Sequence, residues 1–219
     1  MAEISIAVDG PGSSGKGTVA RKVAEELGYQ FVDTGAMYRT VGLLALRAGV
    51  DPRDAEATAR IAAAIRFRFA FADGRLRVYA DDADVSEAIR GEEVGKAASA
   101  VAVHPAVRTA LLALQRGLGN EGGVVMDGRD IGTVVLPDAQ LKVYLDAALD
   151  ERARRRWMEH PERSFELVKA ELAARDLQDS TRATAPLRRA DDAVLVDSTG
   201  RGIDEVVAEI VALARARRA

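Results

Sequence analysis

The nine residues Gly10-Pro11-Gly12-Ser13-Ser14-Gly15-Lys16-Gly17-Thr18 restrict this chain more than any other stretch. An apolar run over 4–8 precedes them. A helix-like run follows, with Val19, Val23 and Leu27 spaced i, i+4, i+8, and it stops at Gly28. Strand, glycine-rich turn and helix is the context in which backbone N–H groups converge on an anion above the positive end of a helix. Glycine lets the backbone approach that anion with no side chain in between. Lys16 is then placed to reach the outer phosphates of a nucleoside triphosphate, and the Thr18 hydroxyl to serve a magnesium ion directly or through water. The segment departs from G-x-x-x-x-G-K-[ST] at one position, where Gly17 stands for the hydroxyl residue and Thr18 comes one later. A glycine-rich surface turn with an exposed lysine is the plain alternative, and the flanking strand and helix weigh against it.

Composition narrows the rest. With 31 Lys and Arg against 34 Asp and Glu the formal charge is −3, so nothing draws the whole chain to nucleic acid or an anionic membrane. Phosphate must be met by local arginines. The lack of cysteine excludes disulfides, thiolate metal sites and a cysteine nucleophile. Two histidines, His104 and His160, are too few for a multi-histidine metal centre and read as surface or packing residues. No apolar run approaches the roughly 18 residues that span a bilayer. The first strand begins by residue 4, which leaves no room for a signal peptide, so a cytoplasmic location is expected. A monomer is expected, with no nucleic-acid or membrane partner.

Residues 30–33 read as a second strand leading into a helix over about 34–48, capped by Thr34 and ended by Gly49. Two strand–helix units in the first fifty residues predict a doubly wound α/β fold. Asp51-Pro52 opens an alanine-rich helix to about residue 65. Phe67, Phe69 and Phe71 then alternate with polar or small residues, Asp73-Gly74 signals a turn, and 75–80 alternate again. This predicts an antiparallel hairpin with an apolar face, an arginine face and a small core of its own. Arg66, Arg68, Arg75 and Arg77 read as a solvated strand face, because no exposed aromatics interleave with them as on a nucleic-acid platform.

Helices are expected over about 91–103 and 105–117. Residues 122–127 read as a buried strand ending on Asp127, an apolar run that sets an acid beside bound phosphates and their metal. Gly128-Arg129-Asp130-Ile131-Gly132 follows at the strand edge where open α/β sheets bind ligands. Strands over 141–145 and 193–197 complete the sheet. Helices are expected from about residue 150, over 165–174, and from Ile203 through Leu213. The expected fold class is α/β, a doubly wound five-stranded parallel sheet with a small antiparallel β insertion and a helical lid. One chain over 1–219 is expected, with its core at 1–60, 100–150 and 185–219, the insertion at 61–95, and a lid and nucleotide-contact segment at 151–184.

A phosphate loop does not name a reaction. Arg39, Arg129, Arg156, Arg175 and Arg182 all stand at strand ends or loop–helix junctions. Each alone is an ordinary surface residue. As a set they suit two phosphorylated ligands facing each other, since guanidinium is always charged and grips phosphate bidentately. A kinase with a phosphorylated acceptor needs such a set; a nucleotide hydrolase needs one cationic finger. An Asn-Lys-x-Asp guanine motif is absent, which weighs against a regulatory GTPase. A non-catalytic nucleotide sensor or a nucleic-acid-stimulated ATPase is the reading from another class, and the acidic balance weighs against the latter.

The chain resembles the bacterial cytidylate kinases of the nucleoside monophosphate kinase group, a P-loop kinase fold, over nearly its whole length. The resemblance is carried by Asp9-Gly10-Pro11, Gly15-Lys16-Gly17-Thr18 and the run from Asp33-Thr34-Gly35 to Tyr38-Arg39. Further carriers are Asp84 to Arg90, Ala97-Ala98-Ser99, Pro105 to Arg108, Asp127 to Val135, Arg175-Asp176, Asp179, Arg182, and Asp197-Ser198-Thr199. Gly17 ahead of Thr18 also looks like this group. The resemblance implies that 10–18 and the lid residue Arg152 bind ATP. It implies that Thr34, Ser99, Arg108, Arg175 and Asp179 contact cytosine, that Arg39, Arg129 and Arg182 hold the acceptor phosphate, and that Asp130 holds the sugar. Asp179 would accept from the cytosine amino group, whereas uracil would oppose acceptor to acceptor. The implied reaction is magnesium-assisted, in-line transfer from ATP to CMP or dCMP, with Lys16, Arg129, Arg156 and Arg182 neutralising charge and no general base. UMP or another monophosphate is the nearest alternative acceptor. Thr34 where serine is common, Gln178 where a charge often lies, and the additional Arg154 depart from the pattern.

Overall fold

In the computed structural model of the chain, residues 3–72, 75–119 and 122–218 are described, with 71–72 and 75–76 by backbone alone. Along the chain run β1 (Ser5–Asp9), α1 (Lys16–Leu27), β2 (Gln30–Asp33), α2 (Thr34–Arg47), α3 (Ala55–Ala64), β3 (Phe67–Ala72), β4 (Arg75–Ala80) and β5 (Ala83–Asp84). Then come α4 (Glu92–Val101), α5 (Pro105–Gly119), β6 (Val124–Gly128), β7 (Leu141–Asp146), α6 (Leu149–Glu159), α7 (Phe165–Thr181), β8 (Val194–Asp197) and α8 (Ile203–Arg217). A single π-helical turn spans Ile131–Val135. The chain packs as two compact units, Met1–Val32 with Arg116–Ala219, and Asp33–Gln115.

The first unit is built on the five-stranded parallel sheet in the order β2-β6-β1-β7-β8. Every residue of β1 is buried, as its nearly continuous apolar run predicts for a central strand covered on both faces. It pairs in parallel with β6 (Val8↔Asp127, Asp9↔Gly128) and with β7 (Asp9↔Tyr144). The chain leaves β1 toward β2 on one side and reaches β7 and β8 on the other. The loop after Asp9 therefore sits at the switch point, the crevice in which such sheets bind ligands. On one face Ile6, Val8, Val143 and Leu145 join Val19 and Val23 of α1 and Val207 and Ile210 of α8 in one cluster. Ala153, Val168 and Leu172 form a smaller cluster that joins α6 to α7.

In the second unit α2 and α4 cross tightly at Gly42, where a Cβ would lie 2.9 Å from the backbone N of Ala98 and 3.0 Å from the Ala97 Cβ. The antiparallel sheet β3-β4-β5 pairs Phe67↔Ala80 through Ala72↔Arg75, as the alternation predicts. The Asp73-Gly74 turn and the Phe71 side chain lie outside the described residues. Among the described residues, the apolar face of the hairpin packs on α2 and α4. Val78 and Ala80 share a cluster with Ala36 and Leu43 of α2 and Val94 of α4. On the arginine face, the Arg68 guanidinium lies over the Tyr79 ring at 3.6 Å.

Several element limits differ from expectation for identifiable reasons. The cap of α2 is Asp33, whose carboxylate accepts from Ala36 N at 3.1 Å, one residue ahead of Thr34. The α3 helix starts at Ala55 because Asp54, not Asp51, accepts from Glu56 N and Ala57 N. The largest difference is α7, which runs on to Thr181 instead of stopping near 174. Val168, Leu172, Asp176 and Asp179 follow each other at helical spacing, so the inner face continues but turns from apolar to charged. Among the described residues, no single helix is long and apolar enough to cross a membrane.

Candidate active site

The loop between β1 and α1 is shaped by close approaches. A Cβ at Gly10 would fall 2.0 Å from the Leu145 carbonyl oxygen, so only glycine lets β1 turn there against β7. Gly15 takes the left-handed conformation (φ 87°) at the head of α1, where no side chain caps the helix. The first amides of α1 thus keep the anion-binding character of a helix N-terminus. Gly17 has a specific neighbour. A Cβ there would sit 3.1 Å from Asp127 Oδ2, the carboxylate at the end of β6. The departure from the usual loop pattern makes room for that acid. Thr18 is exposed, and Ser14 is buried in the loop with a hydroxyl that has no hydrogen-bond partner among the described residues.

Lys16 is buried and donates from Nζ to the Pro11 carbonyl at 2.9 Å. Burial, with the positive charges of Arg129 and Arg175 adding to it, pushes its pKa down to about 7, against the pull of Asp127 and Asp179. Asp9 is also buried. Its two oxygens accept from Ile131 N and Gly132 N, each at 2.8 Å. Burial lifts its pKa to about 7, the two backbone hydrogen bonds pull it down, and Asp130 and Asp127 raise it further.

Downstream residues of the first unit form an ion-paired network. Arg129 donates from Nε to Asp179 at 3.1 Å. Arg182 donates to the Ala185 carbonyl at 2.7 Å, and its guanidinium lies 3.5 Å from Asp130 and 3.7 Å from Asp179. The Arg182, Asp130 and Asp179 side chains are each at most 8% exposed, so these charges are mutually dependent. Arg175 stands exposed on α7, four residues before Asp179.

Helix α6 carries a run of arginines with different fates. Arg152 is buried and donates to the Ala147 and Gly12 carbonyls, and to Asp176 at 2.5 Å. Asp176 in turn accepts from Gly12 N at 3.3 Å. Arg155, to which the sequence gives no role, donates to the Ser14 carbonyl at 3.2 Å and to Ser198. Arg156 instead pairs with Glu159 at 2.7 Å, and Arg154 with Glu151. Of the α6 arginines, the structure brings Arg152 and Arg155 to the loop, whereas Arg156 pairs with Glu159.

The second unit holds its own share of the expected residues. Thr34 is buried in the first turn of α2, and Arg39 pairs with Asp33 at 2.5 Å. Ser99 is half-buried on α4. Arg108 is buried, donates to the Ala102 carbonyl at 3.2 Å and lies over the Tyr38 ring at 5.3 Å. The sequence sets Asp127 beside the phosphates without giving it a ligand, and it gives no role to Asp9, Asp176 or Arg155. For Asp9 and Asp127 the signal was present, as each is an acid closing an apolar strand.

A glycine loop heading a helix at the sheet's switch point, a buried lysine within it and arginines gathered around it define a P-loop phosphotransferase. A family model described as cytidylate kinase matches residues 6–216. Cytidylate kinases of Enterococcus faecalis and Geobacillus kaustophilus are 49% and 47% identical over 214 and 218 residues. These matches cover 96% and 98% of this chain, and 95% and 97% of the relatives. The chain belongs to the cytidylate kinase family. In fold it is similar to an uncharacterized protein from Eubacterium ventriosum (TM-score 0.57, 12% identity, 98% of this chain and 99% of that one). A gluconokinase from Sinorhizobium meliloti is also similar (TM-score 0.51, 18% identity, 99% and 94% covered).

Proposed function

We propose that the chain transfers the γ-phosphoryl group of ATP to CMP, and to dCMP, giving CDP or dCDP and ADP. The observation that carries the reading is the gathering of Arg129, Arg175 and Arg182 with the loop lysine. Burial first, then Arg129 and Arg175, lower the proton affinity of Lys16 against the pull of Asp127 and Asp179, and Arg182 is tied to the same acid as Arg129. Such a set of guanidinium groups suits two phosphorylated ligands meeting head to head better than one nucleotide and water.

In this reading residues 10–18 and the start of α1 receive the ATP phosphates, with Arg152 and Arg155 bracing the loop from α6. Arg129, Arg182 and Arg39 receive the CMP phosphate, and Asp130 the sugar. Thr34, Ser99, Arg108, Arg175 and Asp179 read cytosine. An oxygen of the CMP phosphate is already ionised, so it attacks the γ-phosphorus without a base. The bond to the β–γ bridging oxygen breaks, and ADP leaves with the electron pair. Lys16, Arg129 and Arg182 neutralise the charge spread over the transferring group, with Arg156 swinging in from the lid. Segment 151–184 acts as the lid that excludes water.

The oxygen donors near the loop, the Asp127 carboxylate and the Ser14 and Thr18 hydroxyls, fit magnesium, a hard cation. Ser14, buried without a hydrogen-bond partner among the described residues, is the observation that favours a ligand there. Bound magnesium would supply charge neutralisation at the outer phosphates. The proposal includes action as a monomer in the cytoplasm, where both nucleotides occur.

The test is ADP release measured with CMP, dCMP, UMP and AMP in turn. CMP and dCMP should give the highest kcat/KM. ATP hydrolysis without acceptor close to the rate with CMP would refute phosphoryl transfer, and preference for UMP would refute the role of Asp179.

A further inference from the structure

The carboxylate of Asp9 belongs to neither ligand in the proposed reaction, yet it is buried at the centre of the site. It is the last residue of β1, directly before Gly10. Both its oxygens are committed to consecutive backbone amides, Ile131 N and Gly132 N, at 2.8 Å. Those amides open the π-helical turn Ile131–Val135, which no side chain of its own segment caps. Helical turns leave their first N–H groups without internal partners, so a carboxylate from another strand serves as their cap. Immediately before that turn stand Arg129 and Asp130. Asp130 sits at φ −143°, ψ 25°, outside the regular regions, where the chain bends from β6 into the turn.

The turn is held on its other side too. The Lys142 side chain passes Gly132 closely enough that a Cβ there would lie 3.1 Å from Lys142 Cδ and 3.4 Å from Asp9 Oδ2. The start of the turn is therefore wedged between β1 and β7. Its position fixes where the two preceding side chains begin. Arg129 and Arg182 share Asp179, and Arg182 also meets Asp130, so a displaced turn would disturb the whole acceptor network.

We infer that Asp9 is a positioning residue for the acceptor: by capping the turn at Ile131 and Gly132 it sets Arg129 and Asp130 for the CMP phosphate and sugar. The inference rests on the proposed CMP kinase activity, which the unaltered protein tests separately. Burying a carboxylate near two other acids is unfavourable. The cap is tolerated because both oxygens are satisfied by backbone donors. The mechanism requires no contact of Asp9 with either nucleotide.

The test is Asp9→Asn, which keeps size and one acceptor but turns an amide N–H₂ toward the second backbone N–H. Its kcat/KM for CMP should fall on the order of 100-fold, the loss typical of misplaced reacting groups, while KM for ATP stays within about twofold. Amide exchange at Ile131 and Gly132 should quicken selectively, with the β1 amides still protected. A rise in KM for ATP equal to that for CMP would overturn the inference, because Asp9 would then act through the loop at Gly10. Unchanged kinetics toward CMP would also overturn it. Should Asp9→Asn not fold, Gly132→Ala carries the same test with the carboxylate intact. A raised KM for CMP at constant KM for ATP supports the inference, and no change in either overturns it. If the unaltered protein does not phosphorylate CMP, the proposed function fails, and with it the premise.

Discussion

Lys16 offers the most direct measurement of how this site is charged. Its pKa is pushed down to about 7 by burial and by Arg129 and Arg175. At pH 8 a group of pKa about 7 is only about one-tenth protonated. Triphosphate placed on the loop brings several negative charges against the amine and restores its proton affinity toward the ordinary lysine value of about 10.4. Binding ATP at pH 8 should therefore take up about 0.9 proton at Lys16. The γ-phosphate, with its last ionisation near about pH 6, is already deprotonated and adds little. Titration calorimetry in metal-free buffers of different ionisation enthalpy reads the number directly, as the slope of observed against buffer enthalpy. Asp9, also near 7, would contribute in the same sense, so Lys16→Met is the control and should lower uptake by nearly the full amount. Uptake near zero in the unaltered protein, or an unchanged slope in Lys16→Met, would refute a depressed Lys16. The same shift has a consequence for stability. A lysine depressed from 10.5 to about 7 favours the folded state fully only above the unfolded value. The benefit is lost as pH falls from about 10 to 7, by at most roughly 4–5 kcal/mol.

Two further substitutions probe the arrangement. Gly17→Ala would bring a Cβ to 3.1 Å from Asp127 Oδ2, forcing the carboxylate aside. Alanine for glycine inside a helix would otherwise stabilise by about 0.4–1 kcal/mol. The expected result is no gain in Tm and a kcat lowered about tenfold or more, as for a misplaced charged group; a stabilised, fully active variant would show that this approach is unimportant. Asp179→Asn removes the charge that holds Arg129 and approaches Arg182, at an expected cost of about 1–3 kcal/mol in chemical denaturation. It also offers uracil O4 a donor, so the ratio of kcat/KM for CMP over UMP should fall at least about tenfold; an unchanged ratio would remove Asp179 from base reading.

The strand–loop–helix at the start of the chain was legible because each part has a local cause: an apolar strand, glycines where the backbone is crowded, and a helix of regular apolar spacing. The same holds for the strands ending at Asp127 and Asp197. What escaped was whatever depends on partners far away in sequence. The end of α7 was misplaced because periodicity of apolar residues stops at Leu172, whereas the buried face goes on through Asp176 and Asp179. A helix that turns its inner face toward charge looks, in sequence, like a helix that has ended. Which arginines of α6 face the loop was not legible for a different reason. Arg152, Arg154, Arg155 and Arg156 are chemically alike, and only the rotation of α6 against the loop separates Arg152 and Arg155 from their neighbours.

The acids of the site explain why the arginines can be so many. Arg129 and Arg182 share Asp179 across 50 and 3 residues of sequence, and Asp130 adds a second acid to Arg182. Four largely buried charges of balanced sign are tolerable where two unpaired guanidinium groups would not be. In the proposed assignment a CMP phosphate would compete with these carboxylates for the same donors, which would lower its net affinity but leave the arginines already oriented. Preorganisation of this kind favours the transition state, in which the added charge appears, over the ground state. It also ties specificity to charge. Asp179 both anchors Arg129 and is the acid proposed to read the base, so an acceptor that cannot donate to Asp179 leaves it bound to the arginines. On this assignment, discrimination against UMP and slow transfer to it would have one physical origin.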